Sequence, residues 1–315
     1  MSTVLKRFSL VGVAALLAVS AAGCATGPAK AGSAAIVGGQ AIDLERVQER
    51  TITVLKKEPA AQQMQDQGKL DQVSRLVLAD EITHRIAEYA GQRENITVDE
   101  TKVYDAVQQL GGAEAASKQS EQDPSTILSR QRDILIMGEL ARRNLSTLEV
   151  TIDFFQVKDP KEAREKAAQV TADPSKMARF VQEAPRSTSG QQASASDRKV
   201  RVSENSSLVH TMLWGVQPGT VVAFPADEQQ ASWMVALVKA RTKVPATPGE
   251  DDLADRIDPR LLAAFGLRIA QFLAADLSIE VNPRYGVWDP TDATIVPKAG
   301  EKAGFVGVAA TKNQS

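Results

Sequence analysis

The chain has 315 residues, a single cysteine and nearly balanced charge. Its 37 lysines and arginines stand against 39 aspartates and glutamates, and both signs are scattered along the sequence. A nucleic-acid-binding protein usually gathers its basic residues on one face, so we predict no nucleic-acid partner. One cysteine excludes an internal disulfide, so the stability of the fold has to come from packing.

The first 23 residues have the pattern of an export signal. Lys6 and Arg7 form a basic start, residues 8–22 are predominantly apolar, and small residues precede Cys24. Secretory signal peptides share this order. The apolar run is shorter than the roughly 20 residues that a membrane-spanning helix needs. We therefore predict a signal peptide over residues 1–23 rather than a permanent transmembrane anchor.

Cys24 stands where a lipid anchor would be attached. Residues 21–24, Ala-Ala-Gly-Cys, resemble the bacterial lipobox, in which the cysteine is acylated and becomes the first residue of the mature chain. This resemblance implies a lipidated Cys24, residues 24–33 as a flexible tether, and an extracytoplasmic protein anchored to the cell membrane. Two or more acyl chains anchor a protein stably, because each buried methylene contributes about 0.8 kcal/mol. The alternative is an ordinary cleaved signal with an incidental free cysteine.

Residues 34–147 are predicted to form a hairpin followed by helices. Gly38 and Gly39 supply the positive φ of a two-residue hairpin turn, and Asp43 is a candidate N-cap for the next helix. Residues 70–92 carry apolar residues at helical spacing. Two more helix starts are predicted, at the capping box of residues 97–100 and at Asp123 with Pro124.

Strand patterns begin at residue 148. Residues 148–157 and 232–243 are rich in β-branched and aromatic residues, which predicts strands. Two Asp-Pro pairs, at Asp159 and Asp173, each predict a helix start, with helices near residues 161–170 and 175–183. Weaker patterns predict a loop at 185–197, short strands at 199–202 and 220–224, and a short helix at 206–214. The order of strands and helices is typical of an α+β fold and differs from a doubly wound parallel sheet.

The C-terminal part begins with a linker over residues 245–257. Asp258 and Pro259 then predict a helix that is too apolar to be stable alone, so we expect it to return to the N-terminal helices. Short strands are predicted near residues 278–281 and 293–296, and residues 298–315 are predicted to be a disordered tail.

The residues give no catalytic constellation. The two histidines stand alone: we interpret His84 as a solvated helix residue and His210 as a packing or surface residue. Metal-ligand spacing, a phosphate-binding glycine loop and a nucleophile-elbow motif are all missing from the sequence. The sequence therefore predicts no metal, no cofactor and no nameable catalytic residue.

The element order resembles the SurA-type and PrsA-type extracytoplasmic foldases over most of residues 34–290. Residues 150–168 are similar to the opening strand and helix of a parvulin domain. Residues 215–221 loosely match its late Pro-Gly turn, with Val216 and Thr220 substituted, and residues 283–288 are similar to a signature of actinobacterial SurA-like lipoproteins. The resemblance implies a helical N-terminal domain that a C-terminal helix completes, with an inserted parvulin-like α+β domain.

The domain boundaries that follow are a signal peptide at 1–23, a tether at 24–33, a helical chaperone domain at 34–147, a parvulin-like domain at 148–244, a linker at 245–257, a returning helix and strand at 258–297, and a tail at 298–315.

The chain departs from the parvulin pattern at the positions where active members carry histidine. Those positions fall on Phe154 and on or near Met234, and residues 190–197 replace a glycine-rich segment of the family. Prolyl isomerisation needs only a site that twists a bond with a barrier of about 18–20 kcal/mol, so isomerase activity is left open. The inactive, degenerate domain is the favoured interpretation.

The resemblance implies a membrane-tethered chaperone whose partners are unfolded or partly folded exported polypeptides. Phe154, Phe155, Trp233 and Met234 are the candidate client-binding residues, with core packing as their alternative. The apolar helix faces are likewise either core or a client-holding groove. Two other functions stay open: a divergent peptidyl-prolyl isomerase, and a structural or adaptor lipoprotein with one dedicated partner in the envelope.

Overall fold

The computed structural model describes residues 32–118, 122–184, 193–204, 206–226, 232–247, 249–250 and 253–310. The predicted signal peptide, Cys24 and most of the tether lie outside these ranges, as do most of the predicted loop at 185–197 and the last five residues of the predicted tail. Within them the fold is α+β, as the sequence predicts.

The first part is a hairpin followed by helices. Strands β1 (Ser33–Val37) and β2 (Gln40–Asp43) pair antiparallel around Gly38 and Gly39, whose φ angles of 54° and 78° are those that a two-residue hairpin turn requires. Strand β1 already includes Ser33, so the hairpin begins one residue earlier than predicted. Six helices follow: α1 (Leu44–Lys57), α2 (Pro59–Asp66), α3 (Leu70–Arg93), α4 (Glu100–Gln109), α5 (Ala113–Ser117) and α6 (Ile127–Leu145).

The helix starts test the capping predictions. Asp43 caps α1, because its Oδ1 accepts a hydrogen bond from the backbone N–H of Arg46 at 3.0 Å. At α4 the cap is Asp99, not Thr97. The predicted cap Asp123 is wrong: α6 begins only at Ile127, and the Asp123 carboxylate is buried against α1. Its Oδ1 accepts from the backbone N–H of Ser125 at 3.1 Å, which forms a turn before the helix, and its Oδ2 accepts from Arg50 on α1.

The second part is built on a five-stranded antiparallel sheet. Its elements are β3 (Leu148–Val157), α7 (Pro160–Ala172), α8 (Lys176–Glu183), β4 (Ser194–Arg201), β5 (Thr220–Pro225) and β6 (Trp233–Lys243). The strand order is β10-β5-β6-β3-β4, with β10 (Phe305–Val308) arriving from the end of the chain. Helices α7 and α8 cover one sheet face. The predicted short helix at 206–214 is instead two 3-10 turns, Ser206–Leu208 and Met212–Trp214.

The C-terminal helix returns to the N-terminal part. After a short helix α9 (Leu253–Arg256), helix α10 (Pro259–Leu273) begins at Asp258, which caps it, and packs against both α6 and α3. Gly266 makes the close approach to α6 possible, because a Cβ there would lie 1.9 Å from the carbonyl oxygen of Met137. Strand β7 (Ile279–Val281) then joins β1, and β8 (Val287–Asp289) pairs with β9 (Thr294–Val296).

The prediction of a disordered tail from residue 298 is wrong for its described part. Strand β10 pairs with β5 from Phe305 opposite Ala223 to Val308 opposite Thr220. Phe305 packs into the core between α7 and the sheet. The sheet that was predicted to lie within residues 148–244 therefore takes its outer strand from beyond α10. Strand β10 has only four residues, one of them glycine, so its own sequence does not predict a strand. Pairing with β5, which is distant in sequence, stabilises it.

Substitution of the crossing glycine should be strongly destabilising. We expect Gly266→Ala to lower the free energy of unfolding by about 3 kcal/mol or more, because the helices have to separate to admit a methyl group. Gly300→Ala is the control, since nothing lies within 4 Å of a Cβ at that position, and it should change stability by less than about 0.5 kcal/mol. Chemical denaturation measures both; equal effects would contradict the close crossing.

Candidate functional site

An apolar groove of about 340 Å³ lies at the junction of the helices and the sheet. Its lining contains no charged side chain, although charged residues make up 24% of the chain. The lining residues are Ile86, Met212, Gly215, Val216, Gln217, Thr220, Gln271, Ala274, Ala275, Leu277, Ile279, Trp288, Pro290, Val306 and Val308.

Five segments that are far apart in sequence form the groove. Ile86 comes from α3, residues 271–279 from the end of α10 through the start of β7, Trp288 and Pro290 from β8 and the loop after it, and Val306 and Val308 from β10. The 3-10 turn at 212–214 and the loop that follows it complete the lining. Val308 is 76% exposed, so the groove opens to solvent at β10. An exposed apolar groove with mainly neutral walls is a typical ligand or polypeptide site.

Arg268 holds several of these segments together from beneath the groove. Its Nε donates to the carbonyl of His210 at 2.7 Å, and its Nη2 donates to the carbonyl of Thr291 at 2.6 Å. Its Nη1 donates to the carbonyl of Pro290 at 3.0 Å and to Oε1 of Gln271 at 2.9 Å. Burial lowers the pKa of Arg268 to about 10, so the guanidinium stays charged at neutral pH.

A second arginine, the half-buried Arg241, supports the end of α10. The guanidinium of Arg241 lies 3.7 Å from the ring centre of Phe272 and donates to the carbonyl of Trp214 at 2.7 Å. Burial lowers the pKa of Arg241 to about 10. Gln217 also donates to the carbonyl of Phe272, at 3.0 Å. The turn on one side of the groove is thereby fixed to the helix on the other.

The four predicted client-binding residues are not part of this groove. Phe154, Phe155, Trp233 and Met234 are between 1% and 7% exposed. They belong to the core, which was their alternative interpretation, and as a contact surface the prediction is wrong. The strand period of two explains this, because both faces of the central strands are covered.

The two sheet faces receive one residue from each pair. Phe155 and Trp233 face α7 and α8, where Phe155 packs against Phe180 at 5.4 Å between ring centres. Phe154 and Met234 face the other way, into the large core that also contains Trp214. The parvulin resemblance would place a substrate proline on the sheet face of Phe154 and Met234. That face is covered by the large core.

His84 is not the solvated residue that the sequence suggested. It lies on α3 and faces α6, and its Nδ1 is 2.9 Å from Oδ2 of Asp133, a carboxylate that is only 1% exposed. Its Nε2 is 3.4 Å from Glu88. The hydrogen bond to Asp133 raises the pKa of His84, and burial raises the pKa of Asp133. No local signal could identify this pair, since the two residues are 49 positions apart.

Beside this pair lies a buried cluster of charges. Arg50 on α1 donates to Asp123 at 2.8 Å, to Glu81 at 2.6 Å and to Asp80 at 3.3 Å. Burying a charge is costly unless it is paired and hydrogen-bonded. The cluster therefore fixes α1, α3 and the segment before α6 in one arrangement, and its charges are satisfied within the protein.

The described residues contain no group of three or more His, Cys, Asp or Glu side chains that is placed to hold a metal ion. A search of the same residues also finds no helix with the length and apolar character to cross a membrane.

Comparison with known proteins adds little. No protein-family model and no curated protein matches the chain. Among solved structures the chain is similar to the peptidylprolyl isomerase PrsA from Bacillus anthracis, with 12% identity over 63% of this chain and 96% of that one, and a TM-score of 0.23. So low a score supports no argument from that protein to this one, and the foldase resemblance stays a prediction from the sequence.

The His84–Asp133 pair should make stability depend on pH. A raised folded-state pKa stabilises the protein below the unfolded value of about 6.5, and this contribution is lost as pH rises through the folded value. We expect His84→Gln, which keeps a donor but cannot be charged, to cost about 1 kcal/mol or more near pH 5.5. The cost should shrink toward zero near pH 8.5.

Urea denaturation at both pH values measures the effect. His210→Gln is the matched control, because the His210 side chain is exposed, and its cost should be small at both values. A cost of His84→Gln that is the same at both values would contradict a shared proton in the pair.

Proposed function

We propose that this protein is an extracytoplasmic chaperone, tethered to the membrane through lipidated Cys24, that holds exposed apolar segments of unfolded or partly folded exported polypeptides. One observation carries the proposal: a groove of about 340 Å³, apolar and without charged lining, opens to solvent between the helices and the sheet. This groove replaces the core residues Phe154, Phe155, Trp233 and Met234 as the candidate client site.

The size of the groove suits weak and broad binding. It has room for the side chains of a short segment, and each apolar side chain that leaves water contributes about 1.5–3 kcal/mol. Association and ordering of the client consume several kcal/mol of that gain, so the net affinity is modest. A tether that concentrates such a binder where exported chains emerge compensates for low affinity, because it raises the effective concentration.

The alternatives differ in what they need from the structure. A divergent prolyl isomerase needs an accessible site on the sheet face, whereas Phe154 and Met234 are buried there. An adaptor with one partner would use a surface that is specific in shape and charge, whereas the groove offers neutral, mainly aliphatic walls. Both considerations favour a holding function for many clients.

The groove is tested by placing a charge at its mouth. Val308→Asp changes an exposed residue of the lining, so it should leave the fold intact while adding an unpaired charge to the apolar site. We expect affinity for apolar segments to fall about tenfold or more. Light scattering of several unrelated unfolded proteins should show that the variant no longer suppresses their aggregation.

Leu261→Asp is the matched control, because Leu261 is 42% exposed and lies outside the groove. It should protect clients as well as the wild type. Equal protection by Val308→Asp would remove the groove as the client site, and protection of a single client would favour the adaptor. Acceleration in a coupled prolyl-isomerisation assay, comparable to that of an active parvulin, would favour the isomerase.

The tether has a separate test. We expect Cys24→Ser to move the protein from the membrane fraction to the soluble fraction, because the acylated thiol is then missing. Cell fractionation with immunoblotting measures this, and a variant that stays at the membrane unchanged would contradict lipidation. The residues that line the groove are unaffected by this change, so chaperone activity of the purified variant should persist.

A further inference from the structure

Strand β10 leaves one side of the five-stranded sheet open. It pairs with β5 on one side, and among the described residues no strand pairs with its other side. In an antiparallel strand every second residue directs its N–H and C=O groups away from the existing partner. Such an edge is a template for another extended chain.

The two edges of this sheet are protected differently. The opposite edge strand, β4, contains Asp197, Arg198 and Lys199 in sequence, and its pairing with β3 is irregular. Charges and irregular pairing are the devices by which proteins prevent edge-to-edge association. Strand β10 has the sequence Phe-Val-Gly-Val and carries neither a charge nor a proline. Of these two edge strands, only β10, beside the groove, is therefore free of features that prevent another strand from pairing with it.

The side chains of β10 alternate between the core and the groove. Phe305 packs in the core between α7 and the sheet, and a Cβ on Gly307 would lie 2.9 Å from Oγ1 of Thr171 on α7. Val306 and Val308 line the groove. A strand that added to β10 would follow the same period of two, so alternate side chains would lie over the groove.

The described chain after β10 is held by β5 and α7. After β10 the backbone N–H of Ala309 donates to Gly219 and that of Ala310 donates to Thr171, both at 2.8 Å, which leads the chain onto β5 and α7. Residues 311–315, Thr-Lys-Asn-Gln-Ser, carry no apolar side chain. The uncharged lining is complementary to an uncharged segment.

We propose that an extended, uncharged segment of a client polypeptide, with apolar residues at alternate positions, adds to β10 as a sixth strand and places those residues in the groove. The inference rests on the proposed function and specifies its binding mode: main-chain hydrogen bonds supply affinity for many sequences, and the groove selects only for alternating apolar side chains.

Backbone methylation of a probe separates main-chain from side-chain binding. The probe is a fluorescein-labelled eight-residue peptide of alternating valine and threonine, with two derivatives that are N-methylated at every valine or at every threonine. All amides of one residue type point to the same side of a strand. By fluorescence anisotropy, one derivative should bind about tenfold more weakly than the parent, and the other should bind about equally.

The outcomes distinguish a failure of strand addition from a failure of the proposed function. If both derivatives bind like the parent and Val308→Asp still abolishes binding, strand addition is wrong and the groove remains the client site. If the parent peptide does not bind, or binds Val308→Asp as well as the wild type, the proposed function is wrong at this groove. Loss of binding by one derivative only supports strand addition, and its identity gives the direction of the added strand.

Hydrogen exchange provides a second readout that needs no variant. The parent peptide should slow amide exchange in the β10 segment Phe305–Val308, while the charged edge strand Ser194–Arg201 exchanges as before. Peptide binding without added protection at β10 would overturn the proposal.

Discussion

The junction between the two parts of the molecule depends on one buried cation, Arg268. Its hydrogen bonds all go to uncharged acceptors, on the turn near residue 210, on α10 itself and on the β8–β9 loop. A buried guanidinium is tolerated only if its donors are satisfied, so these segments have to converge on it. Met212, Gln271 and Pro290 contact Arg268 and also line the groove. The shape of the groove is thus a consequence of satisfying a charge beneath it.

The same convergence makes the helices and the sheet parts of one structure. Helix α10 packs on α3 and α6, and the chain that follows supplies β7 to the first sheet and β10 to the second. One hydrophobic core runs through both parts. The groove lies where the two parts meet, and β10 is at once its wall and an open sheet edge. The proposed holding function rests on this combination of an apolar wall and a sheet edge that has no partner strand among the described residues.

Sequence signals predicted the structure correctly where the interactions join residues that are close in sequence. The caps Asp43, Asp159 and Asp258 begin helices as expected, since a side-chain oxygen and the N–H groups it accepts from lie within three residues. At Asp123 the same signal produces only a turn before α6, and the other carboxylate oxygen binds Arg50, 73 positions away. The prediction that His84 is solvated was also wrong, because its partner Asp133 lies on another helix. In both cases a distant charge decided the role of a polar residue.

The sequence by itself determined the α+β class, most helix and strand positions and the return of α10, because capping and apolar periodicity act over a few residues. Only the tertiary structure decided that Phe154, Phe155, Trp233 and Met234 are core, that residues 305–308 form a strand, and that five distant segments enclose a groove. Burial depends on which faces are covered, and a four-residue strand exists only beside its partner. Those are properties of the assembled chain, which no local pattern contains.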